Sequence, residues 1–163
     1  MDVDIRNVDP QGIDALGLLR EASIDARALY PEAFGDTTVD ATNGPLVKGG
    51  VYVVAYAGDV PVACGALRPW GPEVAEVRRM YVHREHRRLG LGRRILDHLV
   101  DAATRMGYSR LVLETGCRQR AAMRLYESRG FGRIDPFGEY VNDPTSVCYA
   151  RDIGRQQAAG VPR

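Results

Sequence analysis

The side chains best able to act together in this sequence lie between Glu76 and Arg93. A carboxylate at Glu76 is followed by Arg78, Arg79, Arg84, Arg87, Arg88 and Arg93, with glycines at Gly90 and Gly92. Beyond them Ile95, Leu96, Leu99, Val100 and Ala103 recur at helical spacing, so the glycines fall where a helix opens and its first N–H groups lack partners. Phosphate binding is the chemistry this arrangement suits. Glycine lets the main chain approach an anion, the helix start contributes about half a positive charge, and guanidinium groups add fork-shaped donors.

Two familiar phosphate loops fit poorly. Gly90-Leu91-Gly92 is followed by Arg93-Arg94-Ile95, not by the spacing of a dinucleotide loop, and there is no Gly-Lys-Ser/Thr for a triphosphate with magnesium. What stands here is Arg87-x-x-Gly90-x-Gly92 behind a hydrophobic strand, which resembles the pyrophosphate-binding motif of the GNAT acetyltransferase superfamily. The competing reading of the same six residues is a solvated arginine loop that caps a helix.

The elements that must position these groups follow from the hydrophobic pattern. Val3, Ile5 and Val8 form a short first strand, and Asp9-Pro10 is a helix start. The helical region carries Ile13, Leu16, Leu19, Ile24, Ala28 and Leu29 as its apolar residues, with a break near Ser23, and ends by Pro31. Phe34 to Gly50 reads as a long loop. Val51–Ala57 and Val60–Leu67 are strands joined by a tight turn at Gly58-Asp59; Pro69 to Pro72 turns again, and Val74–Val82 completes a meander before the glycines. The next helix runs to about Met106, a strand covers Leu111–Leu113, a helix covers Arg118–Arg129, and strands close the domain at Phe131–Ile134 and Ser146–Ile153. The expected fold is α/β: a mixed twisted sheet of about six or seven strands with helices on both faces. At 163 residues the chain is read as one domain over residues 1–153, with a disordered tail over 154–163.

Composition narrows the function. The formal net charge is +1, yet Arg78 to Arg94 holds seven arginines against one acid, Glu85, and Lys48 is the only lysine in the chain. Elsewhere the charge is balanced or acidic, which argues against a general nucleic-acid or membrane surface. Cys64, Cys117 and Cys148 are widely spaced and suit buried thiols better than a disulfide framework or a zinc site, and no metal is expected at His83 and His86. No cationic, apolar leader opens the chain and no apolar run approaches the ~20 residues that span a bilayer, so a cytoplasmic location is expected.

A second motif strengthens the resemblance. Leu125-Tyr126-Glu127-Ser128-Arg129-Gly130-Phe131 is similar to the Leu-Tyr-x-x-x-Gly-Phe motif that closes the coenzyme site of GNAT proteins, one strand and one helix after the first motif. The resemblance implies an N-acetyltransferase, with acetyl-CoA as cosubstrate and a small-molecule or peptide amine as acceptor. It implies that main-chain N–H groups from Arg88 through Leu89, Gly90, Leu91 and Gly92 to Arg93 hold the phosphates, with Arg87 nearby. The strand around Met80, Tyr81 and Val82 would splay from its parallel neighbour, pair with the pantetheine arm and offer an oxyanion donor. Gln119 stands where the family often has an asparagine that contacts the coenzyme.

For catalysis, an alkylamine with a pKa near ~10.4 must lose a proton before it attacks a thioester. Glu76 is fourteen residues before Gly90, as is the glutamate base of several GNAT enzymes; a strand-end carboxylate paired with Arg78 is the alternative. Glu114 is a second, weaker candidate. Tyr126 matches the tyrosine that protonates the departing thiolate, or else is core packing. A different class of function, a non-catalytic coenzyme- or nucleic-acid-binding module using the Arg78–Arg94 cluster, stays open. The acceptor and the oligomeric state also stay open, a homodimer being one alternative.

Overall fold

The computed structural model describes residues 2–34 and 41–154. Part of the loop expected over Phe34 to Gly50, and all but Gly154 of the expected tail, therefore lie outside the described residues. The strands are β1 (Val3–Asn7), β2 (Val51–Ala57), β3 (Val60–Gly71), β4 (Val74–Val82), β5 (Arg110–Gly116), β6 (Gly132–Ile134) and β7 (Ser146–Asp152). The helices are α1 (Ile13–Leu29), α2 (Pro31–Phe34), α3 (Leu91–Arg105) and α4 (Arg120–Ser128). Seven strands form one sheet in the order β1-β2-β3-β4-β5-β7-β6, which agrees with the α/β class and strand number expected from the sequence. The β4–β5 pair is parallel and β1–β2, β5–β7 and β6–β7 are antiparallel, so the sheet is mixed.

Packing divides the chain into two compact units. One comprises Met1–Ala66 and Arg79–Leu96. Its core joins Ala15 and Leu18 of α1 to Tyr52, Val54 and Tyr56 of β2 and to Cys64 and Ala66 of β3, with Val8 and Tyr81 against them. The other comprises Leu67–Arg78 and Asp97–Arg163. Here Leu111, Val112 and Leu113 of β5 and Cys148, Tyr149 and Ala150 of β7 are buried, and so are Leu99, Ala102 and Ala103 of α3.

Several local expectations are corrected. Helix α1 runs unbroken through Ser23, and the chain breaks instead at Tyr30, where Pro31 opens the short α2. Proline cannot donate the N–H that would continue α1 but is suited to a first turn. Asp9-Pro10 does not start α1 either. The Asp9 carboxylate accepts from Gln11 N–H at 2.8 Å in a turn, and Gly12 is the N-cap. The buried face of α1 is Ala15, Leu18 and Leu19, while Ile13 and Ile24 point to solvent. Strand β3 extends through Pro69 and Trp70 to Gly71, so the turn into β4 falls at Pro72 and Glu73. Cys64 and Cys148 are buried as expected, whereas Cys117 is exposed.

Candidate active site

The first unit carries the glycine loop. Arg94 N–H donates to the Gly90 carbonyl at 3.0 Å, so the N–H groups of Leu91, Gly92 and Arg93 precede the first intrahelical bond of α3. Arg88 and Gly90 have φ of +66° and +78°, left-handed turns that bring the chain round into the helix. A Cβ built on Gly90 meets nothing within 4 Å, so the space over this turn is open to a ligand. Left-handed turns, open space and N–H groups that precede the first intrahelical bond fit a pyrophosphate.

Arg87 is tied into the protein rather than extended over the loop. Its Nη2 donates to Asp25 at 3.0 Å, its Nε to the Val82 carbonyl at 3.0 Å, and its guanidinium lies 5.6 Å from the Tyr81 ring centroid. Asp25 of α1 also accepts from Tyr81 and Arg84, at 3.3 and 3.4 Å. One carboxylate thus gathers the end of β4 and the basic loop onto α1. Leu91 is buried and anchors the start of α3, while Leu89 is exposed.

Strand β4 changes character in its middle. Its parallel register with β5 pairs Val74–Val77 with Arg110–Leu113, although β4 continues to Val82 and β5 to Gly116. Arg79, with φ +59°, is a left-handed residue inside a strand, the geometry of a bulge. Its carbonyl accepts from the buried Cys64 thiol at 3.1 Å and its Nε donates to the Asn43 side chain at 2.8 Å, which fixes the kink. Beside it lies a cavity of about 300 Å³ lined by Leu19, Ala26, Tyr52, Arg79 and Met80 among others.

The second unit carries Glu76, which is 1% exposed. Its Oε1 accepts from Arg68 Nε at 2.9 Å, and its Oε2 from Arg78 Nη1 at 3.4 Å and Tyr140 Oη at 2.8 Å. Arg78 also donates to Tyr140 Oη at 2.9 Å, and Arg68 reaches Glu139 at 3.0 Å. The pair with Arg78 that the sequence offered as an alternative is present. No sequence motif marks Arg68 or Tyr140 as its partners: Arg68 sits on β3 without a motif, and Tyr140 is 64 residues away in the chain. The signal for Tyr140 lay in Phe137-Gly138-Glu139-Tyr140. Phe137 packs edge-to-face on Trp70 and on Tyr140, with centroids 5.1 and 5.3 Å apart, and Gly138, at φ +54°, lies under the Trp70 ring.

Tyr126 of α4 is buried, its ring 6.0 Å from Phe131 and 6.1 Å from Tyr149. Burial, with the Glu114 carboxylate adding to it, pushes its pKa up, so the hydroxyl stays a proton donor. Glu114 accepts from Ser146 Oγ at 2.6 Å, and burial raises its pKa as well. Gln119 is the N-cap of α4, and its side-chain carbonyl accepts from Gly116 N–H at 2.9 Å, so a coenzyme contact would have to come from its amide nitrogen. Among the described residues no His, Cys, Asp and Glu group is placed to hold a metal, and no helix is long and apolar enough to cross a membrane.

The arrangement is a mixed seven-stranded sheet with a glycine turn opening the helix after its fourth strand, and comparison with known proteins gives its family. The pattern of the Acetyltransferase (GNAT) family matches residues 18–131. An uncharacterized N-acetyltransferase, YsnE of Bacillus subtilis, is 34% identical over 125 residues, 76% of this chain and 81% of that protein. The crystal structure of a putative acyl-CoA N-acyltransferase from Klebsiella pneumoniae superposes with a TM-score of 0.75 at 25% identity, covering 93% of this chain and 97% of that one. A GNAT family acetyltransferase from Elizabethkingia anophelis, solved with acetyl-CoA bound, gives a TM-score of 0.64 at 19% identity over 92% and 97% of the two chains. The chain belongs to the GNAT acetyltransferase family.

Proposed function

We propose that this protein transfers an acetyl group from acetyl-CoA to a primary amine by direct attack. The observation that carries the reading is the start of α3, where open left-handed turns at Arg88 and Gly90 lead into N–H groups at Leu91, Gly92 and Arg93 that precede the first intrahelical bond. These groups, with the rest of Arg88 to Arg93, hold the pyrophosphate, and Asp25 holds the loop through Arg84 and Arg87. Acetyl-CoA, when bound, supplies the activated acetyl group. The N–H groups of Met80, Tyr81 and Val82 serve the pantetheine arm and the developing oxyanion, since β4 makes no register with β5 beyond Val77. Gln119 contacts the coenzyme through its amide nitrogen.

Glu76 accepts the proton that the amine must lose, and Tyr126, kept protonated by burial, gives one to the departing thiolate. The neighbourhood of Glu76 supports a defined role for it: the carboxylate is buried and held in place by Arg68, Arg78 and Tyr140. Five of the seven arginines from Arg78 to Arg94 have partners inside the protein, namely Glu76, Asn43, Asp25 twice and the Val3 carbonyl. Commitment of most of these guanidiniums to partners within the protein favours a coenzyme over the nucleic-acid alternative, in which they would be committed to phosphates.

The test is the melting temperature with acetyl-CoA, ATP, NAD or a short DNA duplex. Acetyl-CoA at a hundred times its dissociation constant adds about 2.7 kcal/mol, which raises Tm by roughly 5–10 °C in a chain of this size. A shift with DNA instead would overturn the reading.

A further inference from the structure

We propose that Tyr140 is the catalytic residue that passes the acceptor's proton to Glu76. The inference rests on the acetyl-transfer reading above and adds a group that the sequence motifs do not contain. Glu76 is sealed: it is 1% exposed, and its oxygens are occupied by Arg68, Arg78 and Tyr140. Of these three donors the guanidiniums keep their protons throughout the physiological range. Only the phenol can pass one on. Tyr140 is half-buried, whereas the carboxylate it touches is not accessible, so an incoming amine meets the hydroxyl first.

The hydroxyl has the capacity for the task. A phenolic oxygen offers one proton and two lone pairs. The proton goes to Glu76 Oε2 over 2.8 Å, Arg78 Nη1 occupies one lone pair at 2.9 Å, and one lone pair is left for a substrate N–H. In the step, the N–H bond of the acceptor's ammonium breaks as its proton bonds to Tyr140 Oη, while the proton already on Oη moves to Oε2. The amine ends neutral, the phenol ends as it began, and the carboxylate becomes a carboxylic acid. No phenolate accumulates, in keeping with the raised pKa that burial and the Glu76 hydrogen bond give this phenol. When the product has left, the same path run backwards returns the proton to solvent.

The turn is built to hold the ring still. Phe137 contacts both Trp70 and Tyr140 edge-to-face, and Gly138 brings the backbone against Trp70. The charged and titratable groups around Glu76 are Arg68 from β3, Arg78 from β4, Glu114 from β5, Cys148 from β7, and Glu139 and Tyr140 from the turn itself.

The experiment is a double-mutant cycle of Tyr140→Phe and Glu76→Gln, read by acetyl-CoA-dependent thiol release. The probe is whichever of benzylamine, tryptamine, putrescine and glycinamide is fastest with the wild type. Tyr140→Phe should keep the Tm and the coenzyme dissociation constant within about twofold and lower kcat at pH 7 roughly a hundredfold. The loss should shrink as pH approaches the pKa of the amine used, ~10.4 for a simple alkylamine and lower for the others, where it deprotonates unaided. The double variant should be no slower than the slower single one, because both residues serve one proton. Wild-type kcat in Tyr140→Phe, losses that multiply, or a loss independent of pH would each overturn the relay and leave acetyl transfer standing. A wild-type protein that releases no thiol with any of the four amines would overturn the acetyl-transfer reading and the relay with it.

Discussion

Replacing Gly138 by alanine asks how firmly the turn before Tyr140 is built. Gly138 has φ +54°, and a Cβ there would stand 2.4 Å from Trp70 Cη2. Two costs arise from that geometry. A left-handed backbone costs an alanine about 1 kcal/mol relative to glycine. The Trp70 ring must also swing aside and give up its edge-to-face contact with Phe137, worth about 0.5–1.5 kcal/mol. Because Trp70 is 43% exposed, the ring has solvent to move into, and the penalty stays below that of an overpacked core. The expected loss is about 2 kcal/mol, or roughly 4–8 °C in Tm for a chain of this length. Gly58→Ala is the matched control. It has φ +63° but nothing within 4 Å of its added Cβ, so only the backbone cost applies, about 2–4 °C. Thermal unfolding followed by circular dichroism measures both. Gly138→Ala should also lower thiol release, since Tyr140 lies two residues on, while Gly58→Ala should not. Equal melting losses in the two variants would refute the role given to Trp70.

Two more outcomes are expected. Tyr126→Phe should leave the stability within about 1 kcal/mol, because the ring contacts with Phe131 and Tyr149 remain, yet lower turnover at least about tenfold. Since burial keeps the Tyr126 hydroxyl protonated well above its ordinary range, wild-type kcat should hold on the alkaline side up to about pH 9.5; a falling limb near pH 8 would contradict its role as acid. A thiol reagent should modify Cys117 rapidly in the native protein and reach the other two cysteines only after denaturation. Cys64 is 2% exposed with its pKa pushed up to about 12 by burial, and Cys148 is buried as well.

How much was legible in the sequence depended on whether the signal was local. Strand β4 is legible with its observed bounds because Val74 to Val82 lies between the Gly71-Pro72 turn signal and a basic loop. The start of α3 was legible because glycines, orphan N–H groups and an apolar period of 3.6 coincide there. Helix α1 was misread for the opposite reason: Ile13 and Ile24 look like core, but the small Ala15 beside Leu18 is what packs on β2 and β3. Tertiary fit chose the face, not side-chain hydrophobicity. The surroundings of Glu76 were least legible, since Tyr140 is 64 residues away and Arg68 comes from a neighbouring strand. Such pairs follow from strand order and turn geometry, which no short motif carries.

The left-handed residue at Arg79 has a bearing on how this sequence can change. In a regular strand successive side chains alternate between faces, so position alone fixes which way each one points. A bulge restarts that count. Arg78 and Arg79 stand side by side in the chain yet serve separate networks, the first with Glu76 and Tyr140, the second with Asn43. A bulge residue is the extra one of two that face a single partner, so deleting Arg79 would remove the kink and its bonds to Asn43 and Cys64 while leaving Met80, Tyr81 and Val82 on the faces they already occupy. What the extra residue supplies is the kink itself, held by the Cys64 thiol and the Asn43 side chain, and that is what a deletion at this point would lose.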